Sequence, residues 1–338
     1  MQRCFQLAAN ALGKTYPNPI VGCVIVHNNR IIGEGYHQEY GGPHAEVNAL
    51  NSIRYEDKNL LSESTVYVNL EPCSHYGNTP PCADLLINNQ VKKVVIACVD
   101  PFDKVAGQGI NKLKYAGIDV QLGIKQKEAE FLNRRFMKYC TQQRPYIILK
   151  WAESADGYMD IERSNDKKGS FTLSNKQTQI VNHIWRSQEQ AILVGKNTVL
   201  NDNPILTTRL IKGINPVRLV LDRDLTIPQY YNIYNTEAKT IVFNAIKNNL
   251  KANIEYILAI ELKDILNVLY EKKIQSVIVE GGAKVLNEFL YQNIWDEIRI
   301  IKTDVNLATG LKSPKVNMKS VKIETYDNNV IHYIYNQI

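Results

Sequence analysis

Four residues in the N-terminal half could carry out metal-assisted hydrolysis. They are His44 and Glu46 in "YGGPHAEVNAL", and Cys73 and Cys82 in the loop "EPCSHYGNTPPC". A catalytic zinc takes three protein ligands and keeps one position open for water, whose pKa it lowers toward ~7. His44, Cys73 and Cys82 supply that number. Glu46 would then be the general acid/base that carries protons between water and substrate rather than a ligand. The two cysteines alone could also be a redox pair, or the loop a tight polar turn. A hydrolytic site completed by His44 and Glu46 disfavours the first, and a simple turn would not need both thiols.

The surrounding elements must bring these residues together. In a regular helix, side chains two positions apart point to different faces, so His44 and Glu46 converge only if His44 sits at a helix entry. Gly41-Gly42-Pro43 directly before His44, with Val47, Leu50 and Ile53 following at helical spacing, predicts such an entry and a helix from about His44 to Ile53. Cys82 follows Pro80 and Pro81 and opens the apolar "ADLLI" helix, whose N-terminus would depress the pKa of its thiol. In order, His-x-Glu, Pro-Cys and Cys match the zinc nucleobase-deaminase signature.

Around them, "IVGCVIV", "RIIGEGY", "STVYVNL", "KKVVIACV" and "DVQLG" read as strands, and Cys82 to Asn88 and about Gly109 to Ala116 read as helices. That alternation predicts an α/β layered domain. The charged segment "KQKEAEFLNRRFMKYCTQ" reads as helix up to "QQRPY", where Pro145 disfavours helix in the residue before it. A boundary near Gln143 gives domains over 1–143 and 144–338, in keeping with a length of 338 residues at ~150 per domain. The second half restarts with "YIILKWA", "QAILVG", "VRLVLD", "TIVFN" and "SVIVEGGA", a second α/β domain.

Composition bounds the function. The net charge of +6 is shared by both halves without a basic arm, which speaks against nucleic acid as a partner. The N-terminus carries no signal-like apolar segment and nothing reads as a membrane span, so the expectation is a soluble cytoplasmic protein without a membrane partner. Six cysteines are too sparse for a disulfide scaffold, and Cys23 and Cys98 sit in apolar runs as small core residues.

The segments "YPNPIVGCVIV", "HAEVNAL", "EPCSHYGNTPPCADLLI" and "DPFDKVAGQGI" resemble, in that order, the deaminase half of the bifunctional riboflavin-biosynthesis deaminase-reductases. The Cys-x8-Cys loop is the specific feature, because tRNA-adenosine and cytidine deaminases typically carry Cys-x2-Cys. The resemblance implies a cytidine-deaminase-like three-layer α/β/α domain with one Zn2+. Its reaction would convert a diaminopyrimidinone bearing a phosphoribosylamino group to the corresponding uracil, releasing ammonia. It further implies that Asn18 binds the base and that His37 and Asp100 contact substrate; His75 is not taken as a ligand. Two positions depart from the family's pattern. Asn78 stands where lysine is common, so the loop lacks a charge suited to phosphate, and Phe102 replaces the usual Asn.

"LKWAESADGYM", "AILVGKNTVLNDNPILTTR", "PVRLVLDRDLTIP" and "VIVEGGAKVLNEFL" extend the resemblance to the reductase half, a dihydrofolate-reductase-like α/β domain that uses NADPH to reduce the ribosyl side chain to ribityl. By resemblance, Ala152, Thr198, Asp202, Gly282, Ala283, Lys284, Val285, Leu286, Asn287 and Glu288 line the NADPH site. Ser170, Arg186, Leu206, Arg209 and Glu280 face the substrate, and the guanidinium groups of Arg186 and Arg209 suit a two-bonded grip on phosphate. Thr172 stands at or near a position where many members have tryptophan. The family also implies a homo-oligomer. A deaminase of RNA or free cytidine would show Cys-x2-Cys or a concentrated basic surface, and neither is present. A non-enzymatic zinc module leaves Glu46 without a role. A zinc nucleobase or nucleoside deaminase with a degenerate or differently specific second domain stays open, because of Asn78 and Thr172.

Overall fold

The computed structural model describes residues 1–76, 80–102, 106–163 and 169–336. The chain divides into two compact units, Met1–Gln143 and Arg144–Ile338. Among the described residues no helix is long and apolar enough to cross a membrane.

In the first unit, β1 (Gly22–His27) pairs antiparallel with both β2 (Arg30–Tyr36) and β3 (Thr65–Val68). Strands β4 (Lys93–Ile96) and β5 (Asp119–Leu122) continue the sheet in parallel, giving the order β2-β1-β3-β4-β5. The helices are α1 (Gln2–Ala9), α2 (Ala45–Asn51), α3 (Cys82–Asn88), α4 (Gln108–Tyr115), α5 (Gln126–Leu132) and α6 (Arg134–Gln142), with a 3-10 turn over Tyr55–Glu63. Alternate residues of β1 serve two layers, as the period of a strand requires. Cys23 and Ile25 pack with Ala49 of α2, Leu86 of α3 and Leu113 of α4, while Val24 packs with Cys4 and Leu7 of α1.

Helix α2 lies on β2 with its backbone because β2 carries two glycines there. A Cβ on Gly35 would sit 2.4 Å from the Ala49 nitrogen, and one on Gly33 would sit 2.6 Å from the Ala49 oxygen. The sequence pattern marks no helix over residues 2–9 or 55–63, and it predicts the charged segment that begins at Lys125 to be one helix. That segment is two helices, broken at Asn133. The buried Asn133 side chain accepts from the Ile20 N–H (2.9 Å) and donates to the Ile20 carbonyl (3.0 Å), a pull out of helical register.

The second unit is built on a long sheet of strands β6 (Tyr146–Glu153), β8 (Ala191–Gly195), β9 (Val217–Leu221), β10 (Thr240–Asn244), β11 (Asn249–Lys251), β12 (Ile254–Leu258), β13 (Ser276–Gly281), β14 (Glu297–Thr303), β16 (Lys322–Tyr326) and β17 (Asn329–Tyr335). Their order is β11-β12-β10-β9-β8-β13-β6-β14-β17-β16. A separate ribbon joins β7 (Tyr158–Asp160) to β15 (Leu311–Lys312), and the helices are α7 (Lys176–Gln188), α8 (Lys196–Asp202), α9 (Leu262–Glu271) and α10 (Ala283–Tyr291). The pairs from β12 through to β14 are parallel, and β8 is buried throughout. A strand covered on both faces needs the continuous apolar sequence that "AILVG" has. Ile147, Leu149 and Trp151 of β6 pack with Leu266 of α9 and Phe289 of α10, whereas Tyr146 and Ile148 pack with Trp185 of α7. Strands β14 and β17, which the sequence pattern does not mark, carry the sheet beyond β6.

Candidate active sites

In the first unit His44 is the N-cap of α2, with extended backbone (φ −69°, ψ 166°), and Glu46 lies in the first helical turn. Extended backbone at the cap brings the two side chains to one side. Cys82 is the first residue of α3, and its backbone N–H donates to the Cys73 Sγ at 3.3 Å. The His44 Nδ1 lies 3.4 Å from the Cys82 Sγ and 3.6 Å from the Cys73 Sγ, and the three donor atoms all fall within 4.8 Å of one another. For a tetrahedral zinc with ordinary bond lengths, a nitrogen–sulfur edge is about 3.6 Å. The donor set and its spacing therefore fit zinc.

As free side chains, the two thiols shift in opposite directions. The hydrogen bond from the Cys82 thiol leads in driving Cys73 down, and the same contact, with burial, drives Cys82 up. The depression expected at Cys82 thus falls on Cys73, the sulfur to which the α3 N-terminus directs its N–H. His44 is raised, first by its hydrogen bond to Cys73. Glu46 is 4% exposed, and burial, followed by the Cys73 charge, raises its pKa.

The nearby positions named from sequence converge as well. The His37 Nδ1 is 3.0 Å from the Pro43 carbonyl, an acceptor, so the Nε2 accepts from the Asn18 amide at 3.2 Å. The His37 ring stands edge-on to His44, with centroids 5.4 Å apart. Asp100 is half-buried, and burial leads in raising it to about 6. His75 is exposed and outside the ligand cluster. Asn78 lies outside the described residues.

In the second unit a cavity of about 1090 Å³ opens beside β6, α7, α8 and the N-terminus of α10. Its lining includes Ala152, Thr198, Asp202 and Gly282 to Val285 from the expected cofactor set, and all of Ser170, Arg186, Leu206, Arg209 and Glu280 from the expected substrate set; Thr172 lines it too. Leu286, Asn287 and Glu288 are not brought there. Leu286 is fully buried in the core and the other two are exposed, because a helix turns successive residues away from a site at its first turn.

Arg186 differs from expectation. Its Nε and a terminal nitrogen donate to the two oxygens of Glu280 at 3.0 and 2.7 Å, a buried two-bonded ion pair, and its third nitrogen donates to the Thr207 carbonyl at 3.3 Å. These bonds occupy Arg186, whereas Arg209, which also lines the cavity, is exposed and has no ion pair among the described residues. Burial alone would raise Glu280, but the Arg186 and Lys150 charges outweigh it and hold the carboxyl at about 2. Sequence reasoning missed Lys150 and His183, both of which line the cavity. The signals were present. Lys150 is a lone charge inside the apolar "YIILKWA", and Gln179, His183 and Arg186 share one face of α7 at helical spacing. Burial first, then the Arg186 charge, lowers His183 to about 4, so it is a neutral imidazole near pH 7.

Comparison with known proteins assigns a family to each unit. Residues 1–98 match the family described as the cytidine and deoxycytidylate deaminase zinc-binding region, and residues 145–332 match the RibD C-terminal domain. Fold and site thus define a two-domain enzyme that joins a zinc-binding deaminase to a reductase. The riboflavin biosynthesis protein RibD of Aquifex aeolicus is 39% identical over 332 residues, spanning 95% of this chain and 91% of its own. That of Escherichia coli is 35% identical, spanning 88% and 85%. A solved structure from Thermotoga maritima, described as a diaminohydroxyphosphoribosylaminopyrimidine deaminase/5-amino-6-(5-phosphoribosylamino)uracil reductase, superposes with a TM-score of 0.90. It is 36% identical, with 99% of this chain and 97% of that one covered. The chain belongs to the RibD family of riboflavin biosynthesis proteins.

Proposed function

We propose that residues 1–143 hydrolyse 2,5-diamino-6-(5-phosphoribosylamino)pyrimidin-4(3H)-one to 5-amino-6-(5-phosphoribosylamino)uracil, and that residues 144–338 reduce the ribosyl side chain of that product to ribityl with NADPH. The observation that carries the first half is the convergence of the His44, Cys73 and Cys82 donor atoms within 4.8 Å, with buried Glu46 beside them. Zinc held by those three residues would supply Lewis-acid activation of water at neutral pH. Glu46, buried beside them, takes one proton from water and delivers it to the ring nitrogen, then carries the second proton, from the hydroxyl now on the ring carbon, to the amino group. The amino group leaves as ammonia, and the ring carbon keeps the oxygen of water as a carbonyl. The Asn18 amide donates to His37, which leaves its oxygen to accept from the pyrimidine ring. Asp100 completes the substrate contacts.

In the second half NADPH supplies the hydride, so the residues mainly bind and orient. Ala152, Thr198, Asp202 and Gly282 to Val285 hold the cofactor. Arg209 takes the phosphate, and Glu280, fixed by Arg186, faces the ribosyl chain together with Ser170 and Leu206. The reading includes a cytoplasmic setting, which keeps Cys73 and Cys82 reduced. The test is to supply the diaminopyrimidinone ribosyl phosphate to zinc-loaded protein and follow ammonia release and NADPH oxidation separately. Absence of ammonia release removes the first assignment, and absence of substrate-dependent NADPH loss removes the second.

A further inference from the structure

Glu71 begins the loop that carries both cysteines, yet it is neither a metal ligand nor an acid/base in the scheme above. It is 4% exposed. Its Oε1 accepts from the Gly109 N–H at 2.9 Å and the Ile110 N–H at 3.2 Å. Its Oε2 accepts from the Gly107 N–H at 2.9 Å and the Asp100 N–H at 3.3 Å. One buried carboxylate thus satisfies four backbone donors drawn from Asp100 and from the start of α4. Gly107, the N-cap of α4, has no side chain to do this, and Glu71 caps the helix from a distant part of the chain.

The two segments also touch backbone to backbone, since a Cβ on Gly109 would lie 2.1 Å from the Pro72 oxygen. Two residues before Glu71, Asn69 makes a similar connection on the other side. Its Oδ1 accepts from the Gly22 N–H at 2.6 Å, and its amide donates to the Ile20 carbonyl at 3.1 Å, just beyond Asn18. Alternate positions 69, 71 and 73 therefore fasten the Asn18 segment, fasten the Asp100 segment, and present a metal ligand.

We propose that Glu71 is a positioning residue of the deaminase site, fixing Asp100 relative to Cys73 through its four backbone hydrogen bonds. Only a carboxylate serves. Glutamine would turn one oxygen into a donor facing two N–H groups, and one pair of bonds would be lost with the side chain still buried. A displacement of Asp100 by about 1 Å is enough to cost ~10²-fold in turnover at low substrate.

This inference rests on the deaminase assignment proposed above, and ammonia release by the parent protein tests that assignment alone. Glu71 itself is tested in Glu71→Gln and Glu71→Asp of the full chain by two measurements. One is amide hydrogen exchange at Asp100, Gly107, Gly109 and Ile110, which needs no activity. The other is deaminase kcat/KM per bound zinc, with NADPH oxidation on the deaminated product as the control for folding. The expected result for Glu71→Gln is at least ~10-fold faster exchange at those amides, a ~10²-fold loss of kcat/KM per zinc carried mainly by KM, and an unchanged reductase. Glu71→Asp, which keeps both acceptors on a shorter arm, should recover part of each. Exchange equal to the parent, or kcat/KM per zinc within about twofold of it, would overturn the proposal. If Glu71→Gln does not accumulate as folded protein, Glu71→Asp is judged by the same two measurements and the same limits.

Discussion

Replacing Arg186 with methionine should expose the charge balance that keeps Glu280 ionised. The pair is buried, with 10% and 9% of the two side chains exposed, and Glu280 sits at about 2 against an ordinary 4.5. At ~1.36 kcal/mol per unit, that depression corresponds to about 3 kcal/mol of stability near pH 7. The figure agrees with the ~3–5 kcal/mol that removing one partner of a buried ion pair costs. The folded pKa lies below the unfolded one, so the contribution is complete above pH 4.5 and is lost as pH falls through about 2. About 2 kcal/mol of it is gone by pH 3. In Arg186→Met the larger of the two opposing positive charges is missing, and Glu280 climbs back toward 4.5 or above as burial takes over. The stability gap between parent and variant should therefore be widest near pH 7 and narrow by about 2 kcal/mol at pH 3. All three tryptophans, Trp151, Trp185 and Trp295, belong to the second unit, so their fluorescence in urea titrations follows that unit. A gap that stays flat from pH 7 to pH 3, or that is under about 1 kcal/mol at pH 7, would refute the charge balance described for Glu280.

Glu46→Gln should keep the bound zinc and the reductase activity while lowering ammonia release by ~10²–10⁴-fold; near-normal deamination in zinc-loaded variant would remove the acid/base role. Chelation of zinc should abolish ammonia release but leave NADPH oxidation on the deaminated product intact, and parallel loss of both activities would contradict separate sites. Arg209→Ala should raise the reductase KM by ~10–100-fold, the worth of one charged hydrogen-bonding partner, with deamination unchanged. An unaltered KM would show that Arg209 does not meet the phosphate.

The convergence of His44, Cys73 and Cys82 was legible in the sequence because each part of it is local. Gly-Gly-Pro before His44 and Pro-Pro before Cys82 announce helix starts, and the structure begins α2 and α3 at those places. The central strands of both sheets were legible for a similar reason, since "VIV" and "AILVG" have no other place to go than a buried strand. What escaped depends on partners far away in the chain. Nothing near Asn133 predicts that its side chain will bind Ile20 and split a helix, and nothing near Arg186 predicts that Glu280 will occupy it. Lys150 and His183 read as an interruption and a helix residue until the sheet brings them to one cavity. Strand β14 is hard to see in the sequence although Glu297–Thr303 is largely buried, because its alternating charges mask an apolar face that only β17 and β6 complete.

The backbone seat of α2 on Gly33 and Gly35 has a consequence for how this half can change over generations. His44 and Glu46 ride on the same short helix, so a side chain added at either glycine would push against Ala49 and shift both of them in one step. Substitutions on the outer face of α2 can be tried one at a time, but those two positions of β2 admit no gradual exploration. A lineage that altered the spacing of this site would have to rebuild strand and helix together, or find its new substrate through the loops instead.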